Sequence, residues 1–307
     1  MCSSDLAVSA KAALTTAETM SASSSEREVS QIHVFGALLS QSADIAFQRV
    51  QSHLAAWPRD ALVLSTTASQ LGLIGLSGRP GREHELAAFL GTLATHYRDD
   101  PWFAAHHAMA LSETGQQSAA RPMLERSISQ LPRNGYAAHA LCHLYYEVDE
   151  HEAALSFMDT WLPGYPADGG LHGHLSWHVA LSQLRFGNSA EGFRLYSEAF
   201  GADDCKGPAL IRLADTASFL WRAELADCPR DMTRWRTVHE YAHRMFPKPG
   251  APMADWHVAL ADAVTGDDRS MNERIHQLEA ALDEGRYPCG HAVPALDRKS
   301  TRLNSSH

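Results

Sequence analysis

The sequence predicts an all-α fold, a right-handed solenoid of about seven helical hairpins. Alanine and leucine recur at three- and four-residue intervals along most of the chain, and strand-like alternation is nearly absent. Turn residues, small residues and prolines also repeat with one long period. In "PWFAAHHAMALSETGQQSAARPMLERSISQLP" and "GYAAHALCHLYYEVDEHEAALSFMDTWLPGYP", Gly115 and Asp149 mark turns 34 residues apart, and the pairs Ala120/Ala154 and Pro132/Pro166 keep the same spacing.

That spacing is the period of about 34 residues of tetratricopeptide repeats, with their small residue in the second helix and their closing proline. Upstream, "SEREVSQIHVFGALLSQSADIAFQRVQSHLAAWP" predicts a hairpin ending at Pro58, and "DALVLSTTASQLGLIGLSGRPGREHELAAFLGTLATHYRDDP" predicts another around Gly78–Gly81. Downstream, Gly187 and Gly266 mark further turns, and a helix pair broken at Pro229 fills the interval between them. Trp177-His178-Val179-Ala180-Leu181 recurs word for word at Trp256–Leu260. Each hairpin would leave an apolar face that only a neighbouring hairpin covers, hence a stacked array. Small residues let the helices approach, so Ala154→Leu is expected to cost about 1–3 kcal/mol by overpacking.

The ends read differently. "DRKSTRLNSSH" (297–307) and "MCSSDL" (1–6) resemble translated sequencing-adapter strings and are expected to be artefactual and disordered. Residues 7–296 are then read as one array without a domain linker. The formal charge of −10 becomes −11 once the termini are set aside (−10 − 2 + 1). An acidic chain with no basic block argues against nucleic acid and anionic membranes. No apolar run approaches a membrane span. Cys142, Cys205, Cys228 and Cys289 form no CxxC or dense framework, which points to a reducing, cytoplasmic setting.

The histidines fall unevenly. Counting back from each turn residue as position fifteen puts His139 fifth, His143 ninth and Glu147 thirteenth, and His174 second and His178 sixth. His106, His107 and His257 also lie on first helices, whose second, fifth, sixth, ninth and thirteenth positions line the concave face of such arrays. His151, His239, His243 and His276 lie on second helices. His139, His143 and Glu147, each four residues apart, stay on one side of a helix for two turns. Beside His174 and His178 they have the residue types of a transition-metal site. Neither of these two His-x-x-x-His pairs encloses a Glu after its first His, so neither is the HExxH of metalloproteases. The same histidines also suit a hydrogen-bonded polar network with Tyr145, Tyr146, Asp149 and Glu147, or a peptide-binding surface.

Other candidates carry less. Trp177, Trp221 and Trp256 suit packing as well as ligand stacking. Asp215 and Arg222, seven apart, suit a groove ion pair. Gly72, Gly75, Gly78 and Gly81 are followed by no Lys-Ser/Thr, which argues for a helix end and loop over a phosphate cradle.

The segments "HAMALSETG" (107–115), "HALCHLYYE" (139–147), "HGHLSWHVAL" (172–181) and "DTASFLWRAEL" (215–225) together resemble the tetratricopeptide repeat protein 38 family, over about residues 26–290. His107, His139, His143, His174, His178, Asp215, Trp221 and Arg222 match that pattern. Ser176 stands where the family usually has an aromatic, and the acidic residue after His143 is shifted by one. The resemblance implies a fold and no activity.

Two functions follow as expectations. In the first, a groove formed by His107, His139, His143, Glu147, His174, Trp177, His178, Asp215, Trp221, Arg222 and His257 binds a protein or peptide, and no cofactor is needed. In the second, His139, His143, His174 and His178 hold zinc or another divalent transition metal, with Glu147 or Asp215 as base. Convergence of the four ring nitrogens separates the two.

Overall fold

A computed structural model describes residues 3–201, 207–285 and 287. Among the described residues the regular structure is helical throughout, with no strand. In chain order the α-helices are α1 (Ser3–Met20), α2 (Glu26–Ser40), α3 (Ala43–Ala56), α4 (Ala61–Leu64), α5 (Arg82–Tyr97), α6 (Pro101–Glu113), α7 (Gln117–Gln130), α8 (Gly135–Glu147), α9 (His151–Trp161), α10 (His172–Arg185), α11 (Ser189–Leu195), α12 (Ala209–Leu225), α13 (Met232–Met245), α14 (Pro252–Thr265) and α15 (Asp268–Asp283). The chain divides into two compact units, residues 1–140 and 141–307, and the division falls inside α8, not at a linker. The segment expected to be disordered at the start is helical from Ser3. Residues 297–307, Cys205 and Cys289 lie outside the described residues.

The predicted turns are built from one local device. Five helix-to-helix turns carry a residue in the left-handed region, at Gly115, Asp149, Gly187, Asp227 and Gly266 (φ 60–81°). At each, the next residue's N–H reaches back to a carbonyl in the last helical turn. These bonds are Gln116 to Leu111, Glu150 to Tyr145, Asn188 to Gln183, Cys228 to Ala223 and Asp267 to Asp262, all 2.8–2.9 Å. The turn residue's own N–H bonds three residues back, from Gly115 to Ser112 and from Asp227 to Glu224 among others. This doubly bonded C-cap satisfies carbonyls that the helix leaves open. Asp227, not Pro229, is the turn of the fourth such hairpin. The helix starts are equally explicit. Ser25 and Glu28 form a capping box at α2, and Asp100 caps α6, accepting from Phe103 N–H (3.0 Å) ahead of Pro101.

The hairpin expected after Pro58 is the one that departs from the pattern. Only Ala61–Leu64 of its first arm is α-helical. The Thr66 hydroxyl bonds back to the Val63 carbonyl (2.7 Å) and Leu73 N–H closes onto the Thr66 carbonyl (3.0 Å), which folds the chain over on itself. Gly75 sits so close that a Cβ there would lie 2.1 Å from the Gln70 carbonyl oxygen. Gly72 and Gly75 therefore serve a tight turn, and Gly78 and Gly81 take left-handed φ (69° and 77°) in the loop before α5.

In the first unit, Val50, Leu54, Val63, Leu64, Leu90 and Phe103 form the core. In the second, Phe219, Leu220, Trp235, Val238 and Val258 form one cluster, and Cys142, Met158, Leu175 and Val179 another. Five residues after their turns, Ala120, Ala154 and Gly192 are all buried. Their surroundings differ, though. Ala154 lines a pocket of about 310 Å³, so a larger side chain there has space to enter, and the overpacking expected of Ala154→Leu does not apply. Ala120 is 0 % exposed. Ala120→Leu is expected to destabilise by about 1–3 kcal/mol, read as a lowered urea midpoint, against a smaller effect for Ala154→Leu.

Candidate metal centre

Three of the predicted histidines come together in the second unit. His143 stands on α8, and His174 and His178 stand one turn apart on α10. Their ring nitrogens lie within 4.8 Å of one another. The His178 ring is the hub, with its centroid 4.9 Å from those of both His143 and His174 and edge-on to each. Three imidazoles this close cannot all be charged without strong mutual repulsion. Burial, aided by the neighbouring His174, lowers His143 to about 4, so this ring is neutral at physiological pH, the form that ligates metal.

A carboxylate orients the group. Asp215, on α12 and 2 % exposed, accepts the His174 Nδ1–H at 2.9 and 3.0 Å. That bond fixes the tautomer whose Nε2 carries the lone pair. Burial raises the Asp215 pKa, and His174 pulls it partly back. The residue expected as a base, or as a partner of Arg222, thus orients a histidine instead. Arg222 is exposed, bonds the Ser218 carbonyl (3.4 Å) and lies over the Trp177 ring (5.9 Å).

Trp177 covers the histidines from one side. It stacks on His174 (5.2 Å, 11°) and meets His178 edge-on (4.8 Å). Its Nε1–H is buried and has no hydrogen-bond partner among the described residues, which leaves a donor for a bound molecule. His178 also lines the pocket of about 310 Å³, together with Cys142, His151, Met158, Leu181 and Arg222. Burial raises the Cys142 thiol to about 12, so it is a neutral lining group and no nucleophile.

The other predicted residues have their own surroundings. His139 is one helical turn before His143 on α8, the penultimate residue of the first unit, with its ring 5.9 Å from Tyr136. Glu147 is exposed at the end of α8 and Trp221 is half-buried in the α12 packing. In the first unit, His106 is a structural group. It stacks on Tyr136 (3.9 Å), its Nδ1 bonds the Trp102 carbonyl (2.9 Å), and burial lowers it to about 4. His107 is packed near Phe103 (5.7 Å), and burial lowers its pKa too. His257 repeats the position of His178 in α14, but its Nδ1 bonds the Met253 carbonyl (2.6 Å). The shared Trp-His-Val-Ala-Leu word is therefore packing, through Val179/Val258 and Ala180/Ala259, and only the first copy builds a site.

A second cluster went unpredicted. His239 and His243 on α13 meet Asp262 and Asp267. The sequence carries a signal, since residues 239–243 read His-Glu-Tyr-Ala-His, but it lies on the second helix of its hairpin, away from the first-helix positions that line the concave face of such arrays.

Among the described residues no helix is long and apolar enough to cross a membrane. A scan against models of known protein families finds none that matches this chain.

Proposed function

We propose that the chain binds a divalent transition metal through His143, His174 and His178 and presents it to a small molecule in the adjoining pocket. The convergence of the three ring nitrogens, with Asp215 behind His174, carries this reading. Three imidazoles are a ligand set used for reactive zinc, with the fourth tetrahedral position left for water or a ligand group. A carboxylate behind a ligating histidine is the usual support of such a centre. The pocket favours a ligand with an apolar body, against Met158 and Leu181, and an anionic end, toward Arg222.

The hairpins, with their shared C-caps, support tetratricopeptide-like repeats, and the right-handed sense expected of such arrays rests on analogy alone. The quoted segments support kinship with the tetratricopeptide repeat protein 38 family. The free thiols Cys142 and Cys228 support a cytoplasmic setting. Peptide binding, the common use of such arrays, rests on analogy alone.

The test is metal analysis. Protein stripped with chelator and dialysed against zinc is expected to retain an equivalent that His174→Ala removes. Asp215→Asn is expected to weaken that equivalent about 10–100-fold. Zinc retention unchanged in a folded His174→Ala variant would refute the centre.

A further inference from the structure

We infer a second metal site, separate from the first, at His239, His243, Asp262 and Asp267, closed by four protein ligands and serving to pin α13 to the α14–α15 turn. The local sequence places all four. His239 and His243 are one turn apart on α13, with ring centroids 4.5 Å apart. Asp262 is in the last turn of α14. Asp267 is the N-cap of α15, its Oδ1 accepting from Ser270 N–H at 3.0 Å, which leaves Oδ2 to face His239. The Schellman bond from Asp267 N–H to the Asp262 carbonyl holds the two carboxylates on one side of the turn.

The two distances from His239 are those of ligands around one ion, and His243 is held closer by a hydrogen bond that an ion would replace. His243 Nε2 lies 2.6 Å from Asp262 Oδ1, and His239 Nε2 lies 3.2 Å from both Asp262 Oδ1 and Asp267 Oδ2. Tetrahedral ligands on arms of 2.0–2.1 Å stand about 3.3 Å apart. Hydrogen bonding explains the arrangement incompletely. His239 Nε2 is buried and makes no well-directed hydrogen bond to either oxygen. The Asp262 side chain is 0 % exposed, and its Oδ2 is buried with no hydrogen-bond partner among the described residues. A buried carboxylate oxygen left unmatched costs free energy that a divalent cation would repay. Two imidazoles and two carboxylates suit zinc or a neighbouring first-row divalent ion.

The chemistry separates this site from a hydrolytic one. Residues 239–243 match the His-Glu-x-x-His spelling, yet Glu240 is exposed and outside the convergent group. Asp267 takes the fourth position that a hydrolytic site keeps for water. The bound ion therefore holds structure.

The experiment uses the full chain, stripped with chelator and titrated with zinc. Wild type is expected to retain two equivalents, His143→Ala/His174→Ala one, and addition of His239→Ala and Asp267→Ala none. Those last two residues are partly exposed, so their loss spares the buried core. Zinc is also expected to raise the Tm of the His143→Ala/His174→Ala protein, and the Tm shift is expected to vanish when His239 and Asp267 are replaced. If the His143→Ala/His174→Ala protein binds no zinc, the cluster is an ion-pair network only and the inference fails, whatever the fate of the first centre. Peptide hydrolysis by zinc-loaded protein that depends on Glu240 would overturn the closed, structural assignment.

Discussion

Arg274→Met is expected to destabilise the second unit by about 3–5 kcal/mol at neutral pH. Arg274 and Asp255 are 4 % and 1 % exposed, and Arg274 Nη1 donates to Asp255 Oδ1 at 2.6 Å. Asp255 also accepts from Tyr287 Oη–H (2.8 Å) and Gly250 N–H (3.0 Å), and Arg274 Nη2 reaches the Phe246 carbonyl (2.5 Å). The pair thus ties α14, α15 and the loop before α14 together. Removing the cation leaves a buried carboxylate, which is the costly half of a broken buried ion pair. The pH dependence has a definite sign. Burial raises the Asp255 pKa even beside Arg274, and losing Arg274 raises it further. A raised folded-state pKa contributes stability below the unfolded value and loses it as pH rises through the folded one. The gap between wild type and Arg274→Met is therefore expected to widen from pH 5 to pH 8 in urea titrations. A gap independent of pH would contradict this account.

Asp60→Ala is expected to cost the first unit a similar amount, about 3–5 kcal/mol. The Asp60 side chain is 0 % exposed. It accepts from Gln31 Nε2 (2.6 Å), Arg27 Nε (2.8 Å), His53 Nε2 (2.9 Å) and Val63 N–H (3.2 Å). One carboxylate thereby joins α2, α3 and the start of α4. Burial alone would raise its pKa, but the hydrogen bonds from Arg27, His53, Val63 and Gln31 together hold it well below the usual carboxylate range. A depressed pKa contributes stability above the unfolded value and loses it as pH falls through the folded one. The advantage of wild type over Asp60→Asn is expected to be full above about pH 4 and to shrink below it. Hydrogen exchange in α2, α3 and α5 reads the first unit separately, and unchanged protection there would contradict the prediction.

Much of this architecture was legible in the sequence because the hairpin turn is a local device. A left-handed residue with two backward hydrogen bonds is favoured as Gly, or as an Asn or Asp that tolerates the conformation, so Gly115, Asp149, Gly187 and Gly266 stand out in the sequence. The turn at Asp227 was obscured by the more conspicuous Pro229. The truncated α4 was not legible, because the close approach of Gly75 to Gln70 depends on tertiary contact that apolar periodicity does not encode. At the site, the pairs four apart within one helix, His174/His178 and His139/His143, were visible. The hydrogen bond from His174 to Asp215 crosses 41 residues of sequence, and spacing alone suggested Arg222 as the aspartate's partner. His239 and His243 were readable as a pair, but Asp262 and Asp267 join them only once α14 folds back.

The central claim is that His143, His174 and His178 hold one metal ion. X-ray absorption at the zinc edge tests it most directly, on zinc-loaded protein carrying His239→Ala and Asp267→Ala so that only the first centre contributes. The predicted spectrum contains at least three imidazole nitrogens at about 2.0–2.1 Å from one stoichiometric zinc. Absence of bound zinc, or fewer than two imidazoles in its shell, would contradict the claim.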